Sequence, residues 1–503
     1  MNPALLGLAV NPALPSHLVD RLIDTADDEL ASELALRSDL SRARLRTLAA
    51  RSEPAAVRLA HEGLLRAEDV DPAVRPIVAL ALLDAGAGLP QWARGFAVDA
   101  CAEHRVKLAA CPGLPPDVVR RLADDADQRV VAELAFEAPS HLAAELARHP
   151  HTEVRRAIAG NETAPPEVLA ALLTGEGLMP AERCRVCDQE EVPFVHAADC
   201  PRRDCALLPG DACDGAHQSA VQDIRWQALS NPATPARGVA RFADHPSALL
   251  RERVAAREGL PQHVYARLAE DPVPAVRAEL ARNPSVGQAV VRVLSEDRGH
   301  DVQRALAHHP ALALDVLTRL ARSAKLGSPL LPRVVAATPT EVADLATAAD
   351  PTLRMLVALR RDLPDAIRDA LACDRDAKVL KAIAPHPGLT EAHLLTMVDL
   401  HGPRVAAKVA TNPDATAIVL EHLTRQPASA RKVYREIARH PHASLPALLA
   451  CLEDPQARPI AAGRPELPAG VLVDLVADED GRVRDAAAAN PSLPVEAMIA
   501  LLP

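Results

Sequence analysis

Apolar side chains return along this chain at a fixed interval. Phe242, Leu268 and Leu294 stand 26 residues apart, and so do Leu250, Val276 and Val302. Val254, Leu280 and Leu306 keep the same interval, as do the junction residues Asn231, Arg257, Asn283 and His309. Four registers agreeing over three units mark a repeat. One unit reads from Leu260 to Pro284. Leu260-Pro261 opens a helix with proline at its start, where a missing N–H costs nothing. Val264 and Leu268, four apart, share a face. Asp271-Pro272 breaks that helix, because the residue before proline avoids the α region. Val276 and Leu280 form a second stripe, and Asn283-Pro284 ends it. Each unit is therefore expected to be two short helices with a turn after each.

The pattern recurs along most of the chain. Asn11-Pro12 begins the first unit, and Cys111-Pro112 and Ala138-Pro139 fall 27 apart. Pro387, Pro413, Pro441, Pro465 and Pro491 mark later junctions at intervals of 24 to 28. The stretch from about 64 to 105 has no secure phase. Roughly sixteen to eighteen units fit, and no unit can bury its stripes alone, so the units must stack. The C-terminal end, Met498 to Pro503, shows no polar cap, so it is either a half-unit or a docking end.

Composition agrees with this reading. Of 503 residues, 49% are apolar but only 2% aromatic, so the core is Leu, Val and Ala. With 45 prolines and 21 glycines, proline is the main punctuation. The net charge of −11 gives no basic face for phosphates, and few aromatics means few stacking platforms for bases, so no nucleic-acid partner is expected. The N-terminus has no basic residue ahead of its apolar run, and the longest apolar run, Ile77 to Leu83, is far too short to span a bilayer. The expectation is a cytoplasmic chain with no membrane partner.

The pattern Leu-Pro-x-x-Val-x-x-x-Leu-Ala-x-Asp followed by Val-Arg-x-x-Leu-Ala-x-Asn-Pro, seen at Leu260 to Pro284 and with changes at Leu114 to Pro139 and Leu467 to Pro491, resembles the leucine-rich repeat variant family. That resemblance implies an all-α, right-handed, HEAT-like α-solenoid of alternating α and 3₁₀ helices, without strands. It implies little about function, because solenoids host many roles. The founding member of that family carries a Cys-rich segment that binds a [4Fe–4S] cluster ahead of its repeats; here the cysteines stand in mid-array.

Five of the nine cysteines fall within thirty residues, in the order Cys184-x2-Cys187-x8-His196-x3-Cys200-x4-Cys205-x7-Cys213-x3-His217. Two thiolates two residues apart bind one metal from a tight turn, and a second pair further on completes a tetrahedron. Pro193, Pro201, Pro209 and Gly210 forbid a long helix, so a metal would supply stability that this segment lacks. Structural zinc is the leading reading, on Cys184, Cys187, His196 and Cys200, or on an all-Cys set with Cys205. A [4Fe–4S] cluster on Cys184, Cys187, Cys200 and Cys205 is the second, and free or redox-active thiols the third. Cys213 and His217 are left as neighbouring groups, a spare pair or half of another site. From Ala181 to Ala220 there are eight acidic and four basic side chains, which suits bracing or protein binding better than nucleic acid.

Three domains follow: a helical array over 1–176, a Cys-rich metal-binding insertion over 177–222, and a second array over 223–503. His149, His245, His309, His386 and His440 precede prolines at junctions and read as partly exposed helix-end residues that cap carbonyls. Arg155, Arg277, Arg354 and Arg484, with Asp271, Asp297 and Asp478, read as a ladder of ion pairs. Cys101, Cys111, Cys373 and Cys451 read as small core residues, and Trp226 as a lid over the cluster. No phosphate loop, nucleophile elbow or zinc-protease motif occurs, and no catalysis is expected. The function expected is a scaffold or adaptor holding another protein on a concave face. The alternatives are a redox or regulatory iron–sulfur protein and a HEAT-like enzyme acting on nucleic acid, the latter opposed by the acidic charge.

Overall fold

The structure is a computed structural model, and it describes residues 3–188, 217–323, 326, 329–425 and 431–502. The described residues form helices in series, with no β-sheet among them and one isolated bridge between His151 and Arg183. They group by packing into two compact units. One contains residues 66–326; the other contains 1–65 together with 327–503.

The unit read from Leu260 to Pro284 folds as its pattern implies. Its first helix, Gln262–Leu268, starts after Pro261 and buries Val264, Tyr265 and Leu268. Its second, Pro274–Arg282, starts with proline in the first turn and buries Val276, Ala278, Leu280 and Ala281. The second helices stack on one another: Ala248–Ala256 packs on Pro274–Arg282, which packs on His300–Ala307. The unphased stretch is helical too, with Pro76–Asp84, Pro90–Phe96 and Ala102–Ala109. Its helices are in place; what hid them is irregular turn length.

Two buried polar rows hold the register. The first lies at the end of each second helix, where a side chain reaches back to the carbonyls that end the previous second helix. Asn283 Nδ2 donates to the carbonyls of Ala255 (2.7 Å) and Arg257 (2.9 Å). Asn412 does the same to Ala384 and His386, and Asn490 to Ala462 and Arg464. The carbonyl groups at a helix C-terminus have no partner within the helix, so this row satisfies groups that burial would otherwise penalise. Histidine and arginine fill the same role. His309 Nε2 reaches the Asn283 carbonyl at 3.0 Å, His440 Nε2 the Asn412 carbonyl at 2.8 Å, and Arg464 the carbonyls of Ala438 and His440.

The five pre-proline histidines therefore divide. His309 and His440 belong to this row; His386 stands at the equivalent position, but its Nδ1 faces the Pro387 carbonyl and its Nε2 has no hydrogen-bond partner among the described residues. Exposures of 0%, 6% and 4% make all three buried where partial exposure was expected. His149 and His245 sit instead in the turn inside a unit. There each accepts an N–H two residues on, and an arginine six residues on donates to its carbonyl. That is the place where other units carry aspartate.

The second row consists of those aspartates with arginines twenty residues earlier. Arg251 meets Asp271 at 2.6 Å, Arg277 meets Asp297 at 2.5 Å, Arg354 meets Asp374 at 2.7 Å, and Arg105 meets Asp125 at 2.7 Å. Asp478 is held by Arg458. Burial pushes Asp297 and Asp374 up, but the arginine and a backbone N–H outweigh it, and both carboxyls end below their ordinary range. Arg155 and Arg484 depart from the pattern. Arg484 bonds the carbonyls of Asp478 and Glu479, and Arg155 bonds those of His149 and Met179.

In the unit built from 1–65 and 327–503, the N-terminal helix Pro3–Val10 packs on Gly481–Ala488. The C-terminal end is thus a docking end, covered by the chain's own first repeat. Gly7 permits the approach: a Cβ there would stand 1.9 Å from the Asp485 carbonyl oxygen.

Candidate metal centre

The array runs past the Cys-rich insertion without a break. Helix Pro166–Thr174 ends at Gly175 in a left-handed conformation, φ 78°. The next described helix is Gln218–Ser230, which packs on both Thr152–Gly160 and Pro166–Thr174. Asn231 Nδ2 then donates to the carbonyls of Ala159 (3.0 Å) and Asn161 (2.8 Å), crossing the insertion in the same row. The insertion therefore falls between the two helices of one unit, and its two ends must return to one place.

They meet at a cluster of donors. Cys184 and Cys187 lie on the entering strand of chain, and His217 is the residue before the first turn of Gln218–Ser230. The sulfurs of Cys184 and Cys187 are 3.5 Å apart, and Cys187 Sγ lies 3.5 Å from His217 Nδ1. All three donor atoms fall within 4.8 Å of one another. A disulfide needs a separation near 2.05 Å, so the two thiols are not joined. Tetrahedral zinc, with bonds of about 2.3 Å to sulfur and about 2.0–2.1 Å to nitrogen, requires roughly 3.8 Å between sulfurs and roughly 3.5 Å between sulfur and nitrogen. The observed spacings fit that donor set. Cys184 and His217 are buried, Cys187 exposed. His217 adopts φ 52°, a left-handed conformation in which a residue with a Cβ is strained.

The cluster is tied to the array by the residue that follows it. Asp188 Oδ2 accepts from His151 Nε2 at 2.8 Å and from Gln128 Nε2 at 3.1 Å. Arg183 lies 2.6 Å from Asp188 Oδ1. His151 is the residue before helix Thr152–Gly160, and its Nδ1 accepts from the Glu153 N–H, which directs the Nε2 proton to Asp188. The backbone adds Thr152 N to Arg183 O at 3.0 Å and Glu182 N to Pro150 O at 2.8 Å. Arg155, which has no aspartate partner among the described residues, anchors the approach to the insertion through the Met179 carbonyl.

Cys184 and Cys187 thus stand together as their spacing implies, and His217 joins them as a donor. His196, Cys200, Cys205 and Cys213 lie outside the described residues. His217 was legible only by an indirect signal. It is the last residue before the apolar pattern resumes, and continuity of the array forces that residue back to the insertion's start. Trp226 is 38% exposed, and the Arg253 guanidinium stands 5.0 Å above its ring.

The other cysteines bear no such grouping. Burial pushes the Cys111 and Cys451 thiols up to about 12, so both stay protonated at neutral pH. Cys101 and Cys373, expected in the core, are exposed.

No family model matches the sequence, and no curated protein matches it. Among solved structures 26 chains match. One is from a structure of the Pds5–Scc1 complex, at 11% identity and a TM-score of 0.14, covering 94% of this chain. The matched region spans 61% of that chain's length. At that TM-score the match adds nothing to the architecture, which rests on the packing above. No helix of the described residues is long and apolar enough to cross a membrane.

Proposed function

We propose that this chain is a protein-interaction scaffold, a HEAT-like solenoid of the leucine-rich-repeat-variant kind, that holds another protein on a concave face and has a binding role rather than a catalytic one. The observation that carries the reading is the pair of buried polar rows. They fix each unit against the next through side chains spent entirely inside the stack, and leave the outer helix faces available. Two short α-helices in each unit, as in Gln262–Leu268 and Pro274–Arg282, support the HEAT-like part of this reading; 3₁₀ helix occurs among the described residues only at Ala67–Asp69 and Arg241–Asp244.

The Cys-rich insertion is proposed to hold structural zinc. Two thiolates and an imidazole are a zinc donor set, and Cys184, Cys187 and His217 stand at the spacings that one tetrahedral ion requires. A [4Fe–4S] cluster is the second reading. Its thiolates each hold a separate iron and are spread by the width of the cluster, which suits a sulfur pair 3.5 Å apart less well. The fourth donor belongs to one of the cysteines between 189 and 216, or to His196. Zinc would fix the two ends of the insertion and so decide where its intervening residues are presented.

Two measurements test this. Metal analysis of anaerobically purified protein should give one zinc per chain and a colourless solution; iron with sulfide and absorption near 400 nm overturns the zinc assignment. Native co-purification with cross-linking should yield a stoichiometric protein partner linked to repeat surfaces. A chain that purifies alone and turns over a small-molecule substrate overturns the scaffold.

A further inference from the structure

Between Cys111 and His309 the register row reads Cys111, Ala138, Asn161, Asn231, Arg257, Asn283 and His309. Six of these residues donate a hydrogen bond from their side chain. Cys111 is the weakest donor of the six: its thiol lies 3.3 Å from the Lys107 carbonyl, four residues back, and 3.9 Å from the Leu80 carbonyl, 31 residues back. Ala138 is the exception, since a methyl group donates nothing. By the spacing of the row, a donor at 138 would serve the carbonyls of Ala109 and Cys111. Among the described residues no side chain donates to either one.

The structure opens at this place. A cleft of about 420 Å³ is lined by Ala109, Cys111, Ala138, Val119 and Phe136, and by the carboxylates of Glu133 and Glu137. Phe136 is 41% exposed, so the cleft has an apolar lip. Glu133 and Glu137 form no ion pair among the described residues. Arg120 also lines the cleft, but its charge is taken up by Glu145 at 2.8 Å and Asp124 at 3.1 Å. The cleft thus offers two unmet helix-end carbonyls, two carboxylates and an apolar rim.

The row itself shows what fits such a place. Arg257 Nη1 donates to the Asn231 carbonyl at 2.8 Å, and its Nη2 to those of Pro232 and Thr234. Arg464 bonds the carbonyls of Ala438 and His440 while its other nitrogens meet Glu466. A guanidinium spans helix-end carbonyls and a carboxylate at once, because its donors form a fixed planar fork.

We propose that the cleft at Ala138 receives an arginine side chain from a partner peptide, which supplies in trans the donor this junction lacks. An apolar residue beside that arginine packs on Phe136. The proposal deepens the scaffold reading and rests on it only in taking the ligand to be a peptide.

The test uses the full chain and a blocked Leu-Arg-Leu peptide, with Leu-citrulline-Leu and agmatine for comparison, titrated by calorimetry. The expected result is binding of the arginine peptide, at least tenfold weaker binding of the citrulline peptide, and weaker binding still of agmatine. Glu133→Gln with Glu137→Gln should weaken the arginine peptide about tenfold. Val119→Arg, which fills the cleft from the neighbouring helix, should abolish binding. Ala138→Asn should abolish it too and raise Tm, by restoring the amide in cis; Val119→Arg carries the test if that variant does not fold. Equal binding of the arginine and citrulline peptides, no binding, or binding that survives Val119→Arg overturns the proposal while leaving a scaffold role of other faces intact. Agmatine binding as tightly as the peptide overturns the peptide assignment and counts against the scaffold reading.

Discussion

Asn11 donates from Nδ2 to the carbonyls of Ala488 and Asn490, at 2.8 Å each, across more than 470 residues of sequence. It is fully buried, and its Oδ1 accepts the Ala13 N–H. This is the geometry by which Asn490 itself holds Ala462 and Arg464. The first repeat thus docks on the last as any repeat docks on its predecessor. Asn11→Ala should leave buried acceptors unmet, at about 1–3 kcal/mol for each group. Hydrogen exchange should then rise across 481–502 before it rises elsewhere. Unchanged exchange there would show that the docking contributes nothing. Gly7→Val should act more strongly, since backbone oxygen occupies the space its side chain needs.

Much of this architecture is legible in spacing alone, and the reason is physical. A stack needs each unit to bury the same faces, so Val254, Leu280 and Leu306 must recur. The donor row is legible as the Asn-Pro and His-Pro junctions. What spacing conceals is anything that joins distant positions. Asn11 carries the row's signature, but no spacing in the sequence points from it to its acceptors at Ala488 and Asn490. The insertion shows the same limit. Nearness in sequence favours His196 as the companion of Cys184 and Cys187, whereas His217, 30 residues beyond Cys187, is returned by the continuity of the helices. His149 and His245 precede proline as His309 does, yet serve a different turn, because the dipeptide marks a helix boundary without saying which one.

The buried histidines of the row make stability depend on pH. Burial lowers the His309 and His440 pKa from the ordinary 6.5, while the Asn283 and Asn412 carbonyls partly oppose it. The unfolded chain therefore binds these protons first as pH falls. Stability is full above about pH 6.5 and declines below it. Asp297 and Asp374, depressed below 3.8, lose their contribution only at lower pH, so the two windows separate. Tm should hold from pH 8 to 7 and fall between pH 6.5 and 5. His309→Asn with His440→Asn should keep the donor, as asparagine does at 283 and 412, and reduce that slope; His149 and His245, also lowered by burial, supply the remainder. A slope unchanged in the double variant would assign it to other groups.

The Arg251–Asp271 pair differs in kind from the pairs on the outer helices. Its side chains are 11% and 4% exposed, against 55% and 58% for Arg94 and Asp117. Removing one partner of a buried pair leaves the other charge without compensation, at about 3–5 kcal/mol. Arg251→Met should therefore lower stability to urea by an amount of that order, and Arg251→Met with Asp271→Leu should recover most of it. Arg94→Met should have no measurable effect. A double variant no better than the single would show that the row matters for shape rather than charge.

Asp188 connects the donor cluster to the array, and its loss separates two roles that removal of a cysteine would confound. The carboxylate ties together Gln128, His151 and Arg183, while Cys184, Cys187 and His217 face one another beside it. Cys187→Ser should remove a ligand and abolish stoichiometric zinc. His217→Ala should do the same, and because alanine keeps the Cβ at this left-handed position the variant removes the ligand without relieving the backbone strain. Asp188→Asn keeps every ligand but replaces the acceptor for His151 Nε2 with a neutral amide. It should retain zinc with affinity lowered about 10–100-fold, the effect expected of groups that orient ligands. Protease cleavage between 181 and 220 should quicken in all three variants, and excess zinc should restore protection only in Asp188→Asn. If zinc restores nothing there, Asp188 braces the array independently of metal. If Cys187→Ser and His217→Ala keep full zinc and full protection, the cluster is not the site that closes the insertion.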